Sequence, residues 1–214
     1  MAAAEVKRAV LFGAAPCASW RFLEAYLTGE EVVICADGGV NHARAAGLTP
    51  HYLVGDWDSG GHPEEGIPAI SLPVEKNETD LQAAAQLACD LSCQELLLCG
   101  CTGGRLDHTA ANLLLLELVG ARGVSALLVD EDNEARFSAG GTVTVPNSPA
   151  YQYLSIVPLD ARVEGVTLRG VKYPLTDAVL TRGNTLSISN EPLEEPCVIT
   201  TGSGRILIIR SKRQ

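Results

Sequence analysis

Aromatic side chains are scarce in this chain, at 5% of residues, so any core must rest on Leu, Val, Ile and Ala. Basic residues are also in deficit. There are 16 Lys and Arg against 26 Asp and Glu, a formal net charge of -10. Such a surface repels a phosphate backbone, which excludes a protein that wraps nucleic acid. A small phosphate ligand stays possible, held through a metal ion or a local cluster of backbone N–H groups. No CxxC pair occurs among the seven cysteines, and their number is odd. Zinc and redox roles therefore lack their usual spacing, and buried, reduced thiols are expected. No apolar run is long enough to span a membrane. The opening stretch MAAAEVKRAVLFGAAP is too short and too interrupted for a secretion signal, so a cytoplasmic location is expected. There is no GxxxxGKS/T phosphate loop, no repeat and no low-complexity tract.

What is present falls into two halves of different period. VKRAVLFG (6–13), EVVICADGG (31–39), HYLVGDWDS (51–59), QELLLCGCTGG (94–104) and VSALLVDEDN (124–133) each read as a strand running into a loop. Between them, SWRFLEAYL (19–27), VNHARAAG (40–47), TDLQAAAQLACDL (79–91) and DHTAANLLLLELVG (107–120) read as helices. Several of the strands are apolar on both faces, as in a parallel sheet covered by helices. The alternation predicts a doubly wound, Rossmann-like α/β domain over residues 1–135. From about Phe137 the segments shorten, alternate and are punctuated by Gly, Pro and Asn. That pattern predicts an all-β antiparallel sandwich or barrel over 136–214. EDNEARFSAGG (131–141) is polar and glycine-rich and reads as the boundary.

In open α/β sheets, ligands bind outside the carboxyl ends of the strands. Asp37-Gly38-Gly39 follows EVVICA, Asp56 and Asp58 follow HYLVG, and Asp80 opens the helix after SLPVEKNET. Thr102-Gly103-Gly104-Arg105-Leu106-Asp107-His108 follows LLLCGC. Each piece has an ordinary reading. Asp-Gly-Gly is a common turn, Asp56 and Asp58 can close one, Thr79, Asp80 or Asp107 can cap a helix, and Arg105 can be a surface charge. Together, carboxylates gathered at one edge repel one another and favour a cation. Hard oxygens with no competing Cys or His arrangement suit Mg²⁺, which completes its shell with waters and substrate phosphates. A nucleoside triphosphate is the substrate this implies. Gly103 and Gly104 permit close backbone approach to a phosphate ahead of a helix N-terminus, and Arg105 can grip phosphate oxygens at two points. His42, His51 and His62 read as ordinary surface or helix residues.

These motifs resemble thiamin pyrophosphokinase (thiamin diphosphokinase) over nearly the whole chain. The likeness rests on ADGG (36–39), GDWDS (55–59), KNETD (76–80), GCTGGRLDH (100–108) with Asn112, GVKYPL (170–175) and SISNE (187–191). It implies an α/β nucleotide-binding domain followed by a β-sandwich, in a homodimer with active sites between subunits. It implies transfer of the diphosphate of ATP to thiamin, giving thiamin diphosphate and AMP. Asp56, Asp58 and Asp80 would then hold Mg²⁺, with Asp107 on the metal or substrate and Asp37 beside the transferred phosphates. Gly38, Thr79, Gly103, Gly104, Arg105 and His108 would meet ATP, and Asn112 would support that loop. Ser187, Ser189 and Asn190 would meet thiamin.

The chain departs from the family in three places. Trp57 stands where Phe is usual, and Asn77 stands where Asp is usual. A Trp that stacks on thiamin in some members has no counterpart in the second half. Tyr151, Tyr153 and Tyr173 are the rings available there. Two other readings compete. One is an Asp-nucleophile phosphatase of the haloacid-dehalogenase kind, built on Asp56. The other is a sensor that binds thiamin or a nucleotide without chemistry.

Overall fold

The computed structural model describes residues 8–56, 66–73, 75, 77–194 and 196–213. The chain divides into two compact units, residues 1–131 and 132–214.

The first unit carries strands β1 (Arg8–Phe12), β2 (Val32–Ala36), β3 (Tyr52–Gly55), β4 (Ala69–Ser71), β5 (Glu95–Cys99) and β6 (Ser125–Val129). Its helices are α1 (Gly39–Ala45), α2 (Asp80–Asp90) and α3 (Leu106–Ala121). The strands run in the order β4-β3-β2-β1-β5-β6, and every pairing is parallel. β1, β2 and β5 are buried along four consecutive residues each, which is why they read as apolar runs without alternation. Chain order steps outward from β1 to β4, then returns to the other side of β1 with β5. The strand order therefore reverses between β1 and β5, where such sheets open a crevice.

Helix faces follow the sequence period. α2 buries Leu81, Ala84, Ala85 and Ala88, and α3 buries Asn112, Leu115, Leu116 and Val119, spacings that line one face of a 3.6-residue helix. The segment 19–27 departs from the expected helix and forms only a 3₁₀ turn, Arg21–Ala25. Trp20, Leu23 and Tyr26 all pack on the core of this unit. Residues three apart eclipse in a 3₁₀ turn, so the tighter winding brings all three rings and chains to one side. β4 has no strong sequence signal. It is a fully exposed three-residue edge between Pro68 and Pro73, where proline costs no ladder bond.

In the second unit, β7 (Asn133–Ser138), β13 (Ile206–Ser211) and β9 (Tyr153–Pro158) pair antiparallel. A separate antiparallel sheet runs β11 (Leu175–Thr181), β10 (Arg162–Arg169), β12 (Cys197–Thr201), β8 (Gly141–Val145). One apolar cluster draws on both, with Leu154, Ile156, Ile206 and Ile208 from the first and Val163, Leu168, Leu180 and Ile199 from the second. Residues 133–138 of EDNEARFSAGG, where the sequence places the boundary, form β7. Glu134 is buried within β7 and meets Arg210 of β13 and Arg136 (2.9 Å). A charged residue that finds its partner on a distant strand looks like a loop residue in sequence.

Five of the cysteines are buried, and none of those described forms a disulfide. Among the described residues, no helix is long and apolar enough to cross a membrane.

Candidate active site

A cleft of about 380 Å³ opens at the carboxyl ends of β1, β2 and β5. Its lining comes from the loop after β1 (Gly13 to Pro16), from Asp37 after β2, and from Gly100, Cys101 and Gly103 to Arg105 after β5. The first turns of α2 and α3 add Thr79, Asp80 and His108. The position matches the reversal of strand order between β1 and β5.

Asp37 sits in the left-handed region with φ 46°, a conformation that Asp tolerates better than most side chains. Its N–H donates to the Val54 carbonyl (2.9 Å), tying the ends of β2 and β3 together. Strain of this kind concentrates at functional sites. Gly39, which opens α1, has no room for a side chain: a Cβ there would come within 2.1 Å of the Phe12 carbonyl oxygen. Asp56 directly follows β3 and is half-buried. Asp58 lies outside the described residues, as does Trp57.

Thr79 is the N-cap of α2, its Oγ1 accepting from the Gln82 N–H (3.2 Å). Asp80 is the first residue of that helix, where a carboxylate complements the positive end of the dipole. The β5 loop is braced from several sides. The Asn112 amide, buried on α3, donates to the Cys101 carbonyl (2.7 Å). The Thr102 hydroxyl donates to Asp130 (2.7 Å). The Gly103 N–H donates to Thr109 Oγ1 (3.2 Å). Gly103 and Gly104 both adopt positive φ, 92° and 65°, which only glycine does without cost.

Arg105 and Asp107 make a two-point ion pair at the start of α3. The Arg105 guanidinium, helped by the His108 N–H, holds the Asp107 carboxyl down at about 2. Cys101 also lines the cleft, but burial pushes its thiol up to about 12. Among the described residues, no three His, Cys, Asp or Glu side chains form a ready metal cage.

Of the residues expected at the site, Asp37, Thr79, Asp80, Gly103, Gly104, Arg105, His108 and Asn112 line this one cleft. Asp107 is drawn to Arg105 and is absent from the lining, as are Gly38 and Asp56.

The comparisons with known proteins decide the family. Residues 23–126 match the model described as thiamin pyrophosphokinase, catalytic domain. Residues 142–206 match the one described as thiamin pyrophosphokinase, vitamin B1 binding domain. Thiamine pyrophosphokinase of Bacillus subtilis is 30% identical over 195 residues, covering 88% of this chain and 91% of that protein. The chain belongs to the thiamin pyrophosphokinase family. The crystal structure of the B. subtilis protein superposes with a TM-score of 0.89 at 26% identity, over 97% of this chain and all (100%) of that one. A thiamin pyrophosphokinase structure from Geobacillus thermodenitrificans gives 0.84 at 30% identity, over 97% and 98%. The enzyme from Candida albicans, at 15% identity and 0.79 over 96% and 89%, shares the fold.

The family's expected thiamin-facing residues lie in the second unit. The Ser187 hydroxyl donates to the Ile156 carbonyl (2.7 Å). The Asn190 amide donates to the Tyr173 carbonyl (2.7 Å) and accepts from the Tyr173 N–H (3.0 Å). Both side chains are buried and hold the loop in shape. Ser189, between them, is exposed with φ 58°. Leu186 and Ile188 are exposed beside it, and Tyr173 is 58% exposed. Tyr151, by contrast, is buried beneath the Arg210 guanidinium (4.9 Å), and Tyr153 is half-buried near Arg213 (5.8 Å).

Sequence reasoning missed the loop Gly13 to Pro16, which forms one wall of the cleft. GAAP carries no charge and no hydroxyl, so no chemical signal marked it. His42 lies on α1, a helix residue as expected. Its ring is half-buried against Trp20 (centroids 5.0 Å apart), and Nδ1 lies 2.9 Å from the Gly13 carbonyl oxygen.

Proposed function

We propose that the first unit binds ATP in this cleft and that the second unit carries the thiamin-binding face. As a member of its family, the chain transfers the diphosphate of ATP to the hydroxyethyl oxygen of thiamin, giving thiamin diphosphate and AMP. The observation that carries the reading is the convergence of Asp37, Asp80, Thr79, Arg105 and His108 on one cleft at the β1/β5 reversal. The phosphatase and sensor readings are not favoured. Asp56 follows the third strand of the chain, and neither reading accounts for matches to both a catalytic and a vitamin-binding domain.

The donor set fits Mg²⁺. The cleft's one thiol, Cys101, is buried, its pKa pushed up to about 12, and donates to the Cys99 carbonyl, so the carboxylates are the donors on offer. Mg²⁺ takes one or two of these and keeps waters and phosphate oxygens for the rest, so a closed protein cage is unnecessary. Asp56, Asp58 and Asp80 are the ligands we assign, with Asp107 on the metal or the substrate. When bound, the ion supplies charge neutralisation at the phosphate oxygens.

Gly38, Gly103 and Gly104 let backbone approach the phosphates, and Thr79 and His108 add polar contacts. Arg105 takes up charge on the leaving AMP side. Asp107, held at about 2 by Arg105, is a poor base at neutral pH. Asp37, which lines the cleft, is the better group to orient or deprotonate the thiamin hydroxyl. Ser187, Ser189 and Asn190 are the residues we assign to thiamin, with the exposed ring of Tyr173 beside them, and Ser187 and Asn190 also shape that loop. We read the first unit as Rossmann-like and the two sheets of the second as a sandwich. We assign a cytoplasmic homodimer whose active sites form between subunits, with the exposed Leu186, Ile188 and Leu193 suited to burial against a partner.

The test is AMP release by purified protein with ATP, Mg²⁺ and thiamin, and with thiamin omitted. Thiamin-dependent AMP matched by thiamin diphosphate is expected. ADP or phosphate in its place would overturn the reading.

A further inference from the structure

The carbonyl of Gly13 is enclosed by three elements. Its oxygen lies 2.7 Å from where a Cβ on Gly100 would stand and 3.2 Å from where one on Gly39 would stand. At Gly100 only glycine leaves it room, while Gly39 is held to glycine by the Phe12 carbonyl oxygen, which would come within 2.1 Å of a Cβ. The third neighbour is His42 Nδ1, at 2.9 Å. A carbonyl can only accept, so Nδ1 carries the proton and donates. The ring is held from behind by Trp20, whose Cη2 also sits 3.3 Å from the same Gly100 Cβ position.

The neighbouring amides are spoken for. The Gly13 N–H donates to the Cys99 carbonyl (2.8 Å), and the Ala15 N–H donates to the Gly100 carbonyl (2.9 Å). Pro16 has no N–H. Among the described residues, the Ala14 N–H has no hydrogen-bond partner, and Ala14 lines the cleft. The Gly13 carbonyl and the Ala14 N–H belong to one planar trans peptide and point in opposite directions. Whatever anchors the carbonyl therefore aims the N–H. A flipped peptide would instead set a carbonyl oxygen against an anionic ligand.

We propose that His42 is a positioning residue for ATP: by holding the Gly13 carbonyl it turns the Ala14 N–H toward a phosphate oxygen in the cleft. The proposal rests on the ATP-binding reading of that cleft. His42 touches no substrate and acts only through the β1 loop.

Two substitutions in the full chain separate the hydrogen bond from the packing. His42→Phe keeps a ring against Trp20 and removes the donor. His42→Asn loses the ring but can place an amide N–H near the Nδ1 position. ATP affinity is read by calorimetry with Mg²⁺ and no thiamin, and KM and kcat by AMP release. His42→Phe is expected to weaken ATP binding and raise the KM for ATP about tenfold, with the KM for thiamin unchanged and kcat within about threefold of wild type. His42→Asn is expected to recover most of the loss. Unaltered ATP affinity in His42→Phe overturns the proposal, and so does equal impairment of both variants, which would mean the ring acts by packing. If His42→Phe does not fold, the wild-type ring is read directly by ¹⁵N NMR. A proton on Nδ1, protected from exchange, supports the proposal, and a bare Nδ1 overturns it. A wild type that binds ATP yet makes no thiamin-dependent AMP would sink the functional reading alone. A wild type that binds no ATP would sink both.

Discussion

Arg105 and Asp107 grip each other at two points at the mouth of the cleft, Nε to Oδ1 at 3.1 Å and Nη2 to Oδ2 at 2.6 Å. Both side chains are largely exposed. The carboxylate thus presets the guanidinium in the planar, two-pronged orientation that a phosphate would also use. Asp107 titrates at about 2, below its ordinary value, first because Arg105 donates to it. A depressed folded value means the pair's contribution is present above the unfolded value of about 3.9. It is lost as pH falls through about 2. In Arg105→Ala, NMR titration should find the Asp107 carboxyl moved up toward the ordinary range. Arg105→Lys should also cut turnover by on the order of tenfold, since an ammonium cannot make a planar two-point contact. Wild-type turnover in the Lys variant would remove Arg105 from phosphate binding.

Asp56 and Asp80 carry the metal assignment. Asp56→Asn and Asp80→Asn should each lower turnover by on the order of 100-fold or more. Folding stability should change little for Asp56→Asn. Asp80→Asn should lose about 0.3–1 kcal/mol, because Asp80 is the first residue of α2 and complements its dipole. Steady-state kinetics over a Mg²⁺ series, paired with urea unfolding, separates the two effects. Near-normal turnover in both variants would end the assignment.

Tyr173 is the exposed ring among the three tyrosines available in place of a stacking tryptophan. Stacking on thiamin predicts that Tyr173→Ala raises the KM for thiamin about tenfold while Tyr173→Phe stays near wild type. The KM for ATP should not move in either. An equal rise for both substrates would point instead to a distorted loop, because the Tyr173 backbone is pinned to Asn190.

The Glu134–Arg210 pair belongs to stability. Burial alone would raise the Glu134 carboxyl, but the hydrogen bond and charge of Arg210, with those of Arg136, outweigh it and hold it low. The sign follows from that direction. The ionised pair contributes above the unfolded value of about 4.3, and the contribution is lost as pH falls through the folded value. Glu134→Gln should cost about 3–5 kcal/mol at neutral pH by leaving buried guanidinium charge uncompensated. Its urea midpoint should then depend less on pH below about 4.3 than the wild type's does. Parallel pH profiles would mean that the pair has no part in the acid sensitivity of the fold.

Much of the site was legible because its chemistry is carried by residue types that announce themselves. Asp37, Asp80, Arg105 and His108 sit next to glycines or helix starts, at the ends of apolar runs that could only be strands. The wall formed by Gly13 to Pro16 was not legible, since none of its side chains carries a charge or a hydroxyl. Asp107 had several readings in sequence, and only the folded loop joins it to Arg105. The sequence did not show that the Ser187 and Asn190 side chains also bond to backbone carbonyls and N–H groups, because those partners lie far away in the chain.

By itself the sequence determined the period of each half, the starts of α1, α2 and α3 to within a residue, and the list of carboxylates, because these depend on local stereochemistry and burial alone. Tertiary structure decided what pairwise geometry alone can decide. Strand order placed the cleft between β1 and β5, and long-range pairing turned the polar Glu134 segment into a core strand. The fold also brought His42 Nδ1 within 2.9 Å of the Gly13 carbonyl oxygen, beside Gly100. Each of these is a contact between residues far apart in the chain, set by which surfaces can bury one another.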